Sequence, residues 1–522
     1  MSKNVITDVC VIGAGISGLV TAKCMRDVGF DVVVIERTND VGGLWVFKEK
    51  GYGVMRFTHI NVSKQNYCFS DFPFGDDVPD FPHNEQMASY IRDYTRQFGL
   101  YDIIQFQTEV VSVKRKGDGW QVMTSKVTAD EDGVVTRTGE ESIVQCKYVA
   151  IASGHHAKPK WPNFDGQDQF KGEIIHSVDF KDAITNDLTG KRVLVVGVGN
   201  SGVDAAVNCA TEGRCKEVHL STRSGAWVLS NYIFGCPVDH YASRALLWLP
   251  WQLVNMVTET ATTLTYGHPN KWGLNPKMKA HQTQFTICPN LVFHIQRGQV
   301  KMHPNITRME DKKVYFTDGS FTEVDAVVFC TGYFIDLPYL DEEVRSQCLK
   351  DGNSLELFKN IFSPDIGSSL AFIGFVQPAS GGLLSMSETQ ARWWAELCKE
   401  NVRLPDKETM LDVIKKEQEE CAKKYFSSSR HTIQKDPIIY NDDIAARFGA
   451  KPQLWKHPRL AWRLLLGTCG SAQYRLQGPG KWDKAHDVVM SVPTTAFVDY
   501  SATAVLVIIA AVLMWFLTLL CC

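Results

Sequence analysis

The sequence predicts an α/β chain with two separate parallel sheets, one inserted into the other, and an apolar helix towards the C-terminal end. Three stretches carry that prediction: VCVIGAGISGLVTAKCMRDVGFDVVVIER near the start, RVLVVGVGNSGVDAAVNCA in the middle, and SATAVLVIIAAVLMWFLTLL over residues 501–520. The first two read as strand, glycine turn and helix, and the third carries no charge.

In the first stretch Gly13, Gly15 and Gly18 form GxGxxG between an apolar strand and a helix. Gly13 permits the turn, Gly15 lets a pyrophosphate approach the backbone, and Gly18 lets the helix close on the strand. Free N–H groups at the helix start then face the phosphates, and Glu36, ending the next strand, accepts from a ribose hydroxyl. A bare GxGxxG is weak evidence. With strand, helix and acid in place, it predicts a Rossmann-like dinucleotide site. VGGLWVF follows, where Gly42 and Gly43 let backbone lie close to a large ligand.

The second stretch repeats the pattern at Gly197, Gly199 and Gly202. Its next strand ends in Thr222 and Arg223, where an acid would otherwise stand. An acid repels a 2′-phosphate, whereas a guanidinium clamps one through paired hydrogen bonds. This site is expected to prefer NADPH to NADH; the alternative is that Arg223 is a solvated surface residue.

Two such units in one chain usually hold a flavin and the nicotinamide that reduces it. YVAIASG (148–154) and VVFCTGY (327–333) are apolar strands ending in small-residue turns, suited to be the two crossings between a flavin unit and an insert. The expected division is an FAD-binding domain over 1–154 and 331–445, an inserted NADPH-binding domain over 155–330, a membrane-proximal segment over 446–500 and the helix over 501–520. Gly381 and Gly382 precede a helix whose N-terminus is expected to face the flavin.

Composition narrows the function classes. A net charge of −3 without Lys/Arg runs excludes a nucleic-acid partner. None of the 15 cysteines falls in CxxC or Cys/His spacing for zinc, so no metal site is expected and a reduced setting is the default. The N-terminus has no apolar signal region. The run over 501–520, at ~1.5 Å per residue, matches a ~30 Å hydrocarbon core and is read as a transmembrane anchor rather than a buried helix. An anchor there leaves the preceding residues on the cytosolic side.

FKGEIIHSVDF (170–180), ahead of the second glycine motif, fits F-x-G-x-x-x-H-x-x-x-(Y/F) through Phe170, Gly172, His176 and Phe180. Here the chain resembles the flavin-containing monooxygenases, most closely the animal microsomal type. GAGISG, GGLW, NVSKQ, FSDFPF, SGHH, GNSG, CTGY, QPASGG, ETQARW, YNDDIAARFGAKP and QYRLQGPGKW occur in the family's order. The resemblance implies FAD, NADPH and O2 as reactants, a C4a-hydroperoxyflavin, and soft nitrogen or sulfur centres of lipophilic amines and sulfides as substrates. It implies catalytic roles for Asn61 and Asn200 beside the flavin. It also extends the cofactor-binding set to Gly43, Leu44, Trp45, Ser63 and Ser201. The endoplasmic reticulum membrane, with the catalytic part facing the cytosol, is the implied location. Oligomeric state stays open, a homo-oligomer included.

His176 reads as structural, bonding backbone across a domain junction. Phe180 stands where related Baeyer–Villiger enzymes carry tryptophan, which favours heteroatom oxidation. Ester formation from ketones and an uncoupled, peroxide-producing NADPH oxidase remain the alternatives. A disulfide reductase is excluded because Val41–Phe47 holds no cysteine. His155-His156 is read as structural. LLWLPWQLVNM (246–256) is an interfacial patch, a tunnel lining or buried core. KPQLWKHPRLAWRLLLG either lies on an anionic bilayer or is a partly buried helix. FTICPNLVF (285–293) departs from the family's polar N-D-x-L-P-N-R, keeping only Pro289-Asn290, so a shifted substrate range or a weaker hold on NADP is expected.

Overall fold

The computed structural model describes residues 3–129, 135–350, 354–379, 381–426, 433–496 and 498–501. The first sheet is built from β1 (Lys3–Ile12), β2 (Val32–Ile35), β3 (Ile104–Gln105), β4 (Thr108–Lys116), β5 (Gly119–Ala129) and β6 (Val135–Ile151), in the order β3-β2-β1-β6-β5-β4. β3, β2, β1 and β6 run parallel, while β6, β5 and β4 form an antiparallel meander. All four positions of β2, VVVI, are buried, as expected when helices cover both faces of a parallel sheet. α1 (Ile16–Asp27) follows β1 and is buried from Ile16 to Met25, and α2 (Asn84–Gln97) starts at a capping box on His83 and Gln86.

The chain leaves this sheet after Ile151 and builds a second, all-parallel one. Its strands are β7 (Glu173–His176), β8 (Arg192–Val196), β9 (Glu217–Ser221), β10 (Val300–His303) and β11 (Ala326–Phe329), in the order β10-β9-β8-β11-β7. α3 (Asn200–Ala210) follows β8. After β11 the chain returns, and β12 (Leu370–Phe372) pairs with the end of β6 at Val149–Ile151. The two crossings run side by side, Tyr333–Phe334 pairing antiparallel with Lys158–Pro159. FKGEIIHSVDF is therefore not a free linker: it forms edge strand β7, registered on β11 from Glu173↔Ala326 to His176↔Phe329. Phe180 is fully buried beneath this sheet with Val193, Val203 and Leu220.

Between β9 and β10 the chain makes a long excursion that carries α4 (Trp251–Tyr266). The excursion is tied to the rest of the molecule by Arg244, buried, which donates to Asp442 at 2.9 and 2.8 Å, to the Leu464 carbonyl and to Gln473. The face of α4 bearing Leu253, Met256, Val257 and Leu264 is exposed, and so is Trp248, 71% accessible just before it. The buried-core reading of 246–256 is thus excluded.

α5 (Leu383–Cys398) lies under α1 and is buried along nearly its whole length, Trp393 and Trp394 included. The segment after 446 packs into the first unit. Tyr474 and Arg475 are buried, and Arg475 joins Glu388 at 2.8 Å, Asp71 at 3.0 Å and Ser70 at 2.6 Å inside the first unit. In KPQLWKHPRLAWRLLLG, Leu460 and Leu464 are fully buried while Trp455 is 76% exposed. The expected transmembrane helix over 501–520 lies outside the described residues, Ser501 excepted. Among the described residues no helix is long and apolar enough to cross a membrane.

Candidate active site

The two glycine motifs fold into the same device twice. Gly13 (φ 104°) leaves β1 and donates to the Ile35 carbonyl at 2.8 Å; Gly197 (φ 116°) leaves β8 and donates to the Ser221 carbonyl at 3.0 Å. A methyl group on Gly18 would sit 1.8 Å from the Gly13 oxygen, and one on Gly202 would sit 1.9 Å from the Gly197 oxygen. Both glycines exist to let a helix meet the turn before it. A Cβ on Gly199 would meet nothing within 4 Å, and one on Gly15 only the Gly43 Cα at 3.8 Å. Both positions open outward.

They open into one cleft of about 890 Å³ between the two sheets, near the upper end for small-molecule sites. Gly13, Gly15, Glu36, Gly43, Leu44, Trp45, Asn61, Gly197, Gly199, Asn200, Ser201, Gly202, Thr222 and Arg223 all line it. Of the sequence-predicted site residues, only Gly18 and Ser63 do not. Gly18 serves helix–strand packing, as expected. The Ser63 hydroxyl donates to Asp239 at 2.6 Å in a buried contact.

Charge in the cleft suits phosphate. α1, α3 and α5 begin at Gly15, Gly199 and Gly382, and none of the three has a side-chain cap or an acid in its first turn. Helices elsewhere are capped by Ser243, Asp341, Asp406 and Asp436. Uncapped N-termini leave backbone N–H donors and the positive end of the helix dipole for a ligand. Gly381 and Leu383 bring the start of α5 to the same cleft. Arg37, Lys48 and Arg223 line it and form no ion pair among the described residues. Burial lowers the Lys48 ammonium pKa, with Glu36 opposing the shift.

Glu36 is buried, accepting from the Ala14 N–H at 2.7 Å and from the Thr38 N–H and hydroxyl at 2.8 Å. Thr222 holds the corresponding place in the second unit, and its oxygen accepts from the Gly225 N–H at 2.9 Å. Asn200 accepts from the Ile287 N–H at 3.0 Å, which leaves its NH2 available to a ligand. Asn61 makes no side-chain hydrogen bond to the described residues.

Several lining groups escaped the sequence reading. Tyr52 and Tyr339 are pushed up by burial. Gln284 of the insert accepts from Gln377 of the first unit at 2.7 Å, a bond across the cleft. Gln377 stands in the QPASGG motif, so that signal was present; Tyr52 and Gln284 had none. His155 Nδ1 donates to the Gly374 backbone carbonyl at 3.1 Å. His156 stacks on Tyr333 with centroids 5.1 Å apart, and burial beside His155 lowers it to about 3, so the ring is neutral. His176 is fully buried, its Nδ1 accepting from the Val178 N–H at 3.2 Å and its ring packed on Trp161 and Tyr333. Its Nε2 has no hydrogen-bond partner among the described residues. No cluster of three metal-ligating side chains occurs among the described residues.

The flavin-binding monooxygenase-like family model matches residues 6–512. The chain belongs to the flavin-binding monooxygenase-like family. Flavin-containing monooxygenase 5 of Homo sapiens is 37% identical over 502 residues, covering 92% of this chain and 91% of the relative. Dimethylaniline monooxygenase (N-oxide-forming) 2 of Oryctolagus cuniculus is 35% identical over 507 residues, with 92% and 91% covered. Among solved structures, S-allyl-L-cysteine S-oxygenase from Allium sativum superposes with a TM-score of 0.63 at 22% identity, over 88% of this chain and 92% of that one. An open form of cyclohexanone monooxygenase gives 0.59 at 17% identity, over 85% and 97%. Both share the fold.

As a flavin-binding monooxygenase the protein is an enzyme that uses FAD and NADPH. The cleft fits that pair. Two phosphate-bearing ligands need two glycine cradles, free helix N-termini and unpaired cations, and all three are present.

Proposed function

We propose that the protein oxygenates soft nitrogen and sulfur centres of lipophilic small molecules, using NADPH and O2. The single observation behind this reading is that Asn61, Asn200 and both glycine cradles open onto one cleft. In this reading residues 1–154 and 331–445 hold FAD, through Gly13, Gly15, Glu36, Gly43, Leu44 and Trp45. The insert, 155–330, holds NADPH through Gly197, Gly199, Asn200, Ser201, Gly202, Thr222 and Arg223. Bound there, the coenzymes supply hydride transfer and the activation of dioxygen.

The protein's share is positioning and exclusion of water. Asn61 offers an amide without a protein partner, able to donate and accept at the reacting edge of the flavin. Asn200 offers its NH2 from a fixed orientation. Neutral His155 and His156 and the buried tyrosines line the junction with groups that hydrogen-bond without adding charge. Product analysis with a tertiary amine, a thioether and a methyl ketone tests the reading: N-oxide and S-oxide are expected, and ester as the main product would replace it.

Arg223 is assigned to the 2′-phosphate. Arg223→Ala is expected to raise the KM for NADPH about 10- to 100-fold, the worth of ~1.5–3 kcal/mol for hydrogen bonds to a charged group, and to leave the KM for NADH unchanged. Steady-state kinetics with both coenzymes check this.

The membrane assignment belongs to the same proposal: an anchor over 501–520 in the endoplasmic reticulum, with the catalytic units in the cytosol. The exposed face of Trp248, Leu253, Met256 and Val257 supports a second contact with the bilayer. A variant ending at Tyr500 is expected to keep part of its cosedimentation with vesicles, and to lose it when Trp248 and Met256 are also changed to serine.

A further inference from the structure

Asn61 stands on a loop with no regular secondary structure, yet its amide carries the proposed chemistry. Something has to hold that loop. Ile60 is fixed by its N–H bond to the Pro82 carbonyl at 3.0 Å, on the first unit's own side. On the other side Lys64 holds the loop to the Asp80 and Val78 carbonyls at 2.7 and 2.6 Å, and a second anchor comes from elsewhere in the chain. Asp239 lies in the short turn Val238–Tyr241, within the excursion between β9 and β10. Its buried carboxylate takes three hydrogen bonds, all from the Asn61 loop: the Ser63 N–H at 3.2 Å, the Ser63 hydroxyl at 2.6 Å and the Asn66 amide at 2.6 Å. His240 Nε2 lies 3.1 Å from the Ser63 oxygen, so an Nε2–H donates to Ser63, which donates onward to Asp239. Ser63 is fully buried and Asp239 nearly so.

We infer that Asp239 is a positioning residue for Asn61: a carboxylate of the inserted unit that fixes the loop through Ser63 and Asn66 and sets the amide's place in the cleft. The inference rests on the role of Asn61 proposed above. A buried carboxylate satisfied by three donors of one loop holds it more tightly than surface contacts do, because releasing any donor leaves a buried polar group unpaired. The link also joins the two halves of the site.

The test uses the purified, FAD-loaded protein and four variants: Asn61→Ala, Asp239→Asn, Ser63→Ala and the double Asn61→Ala/Asp239→Asn. Asp239→Asn keeps the shape but presents an NH2 or a single oxygen to three donors. The expected result is flavin content and anaerobic flavin reduction by NADPH within twofold of the parent, with peroxide released per NADPH raised at least fivefold. Ser63→Ala should move the same ratio in the same direction by less. The double variant should match Asn61→Ala alone. Asp239→Asn with unchanged peroxide release, or a double variant whose losses multiply, would overturn the inference. So would loss of flavin from both Asp239→Asn and Ser63→Ala, which would make the contact a support of the fold. Should Asn61→Ala leave coupling unchanged while Asp239→Asn alters it, the role given to Asn61 fails and Asp239 acts by another route.

Discussion

Gly18→Ala is expected to yield a protein that purifies without flavin. The new methyl group would lie 1.8 Å from the Gly13 carbonyl oxygen, with Val11 at 3.4 Å, so β1 and α1 have to part. Overpacking of this kind costs ~3 kcal/mol or more, because backbone rather than a side-chain tip must move. The move opens the turn that carries Gly13 and Gly15. Gly202→Ala makes the same collision, 1.9 Å from the Gly197 oxygen, in the second unit. Each sheet packs on its own buried cluster: β1 and α1 with Val9, Leu19 and Met25, β8 and α3 with Val193, Val203 and Cys209. The two variants should therefore separate. Gly202→Ala retains its yellow colour but is no longer bleached by NADPH. Absorbance after gel filtration and anaerobic titration distinguish them, and loss of flavin in both would show that the units do not fold independently.

The second large effect is expected at Asn61. With no hydrogen bond to the described residues, the side chain can be removed at little cost to the fold, within ~0.5 kcal/mol as for surface positions. If its amide supports the oxygen-transfer step, Asn61→Ala lowers oxygenated product about 100-fold, the effect of deleting one preorganised donor. NADPH oxidation continues, with peroxide as its outcome. Parallel measurement of Tm, NADPH consumed, peroxide and S-oxide tells this from unfolding. A variant that makes sulfoxide at the parent's rate would remove Asn61 from the mechanism.

What the sequence revealed is what is local. Each glycine motif encodes a contact between residues five apart, Gly18 with Gly13 and Gly202 with Gly197, so the residue types announce it. The two crossings were legible for the same reason: apolar strands ending in small residues at 148–154 and 327–333 have to leave a sheet. What the sequence leaves hidden depends on distant partners. FKGEIIHSVDF does not announce its strand, because a four-residue strand is recognisable only beside β11, its partner from Ala326 onward. Nothing in NVSKQ announces that the Ser63 hydroxyl meets Asp239, 176 positions later. Nothing near QYRLQGPGKW indicates that Arg475 meets Glu388 and Asp71. The apolar run at 246–256 has one composition whether buried or exposed, and only the packing of α4 decides.

Two coenzymes have to meet in one cleft for this chemistry, and a single-turnover experiment shows whether they do. Purified protein is titrated anaerobically with one equivalent of NADPH, then mixed with oxygen and a thioether. Full bleaching of the bound FAD is expected, followed by close to one sulfoxide per flavin. Bound FAD that NADPH fails to bleach would contradict it, because the two glycine cradles would then serve sites that do not meet.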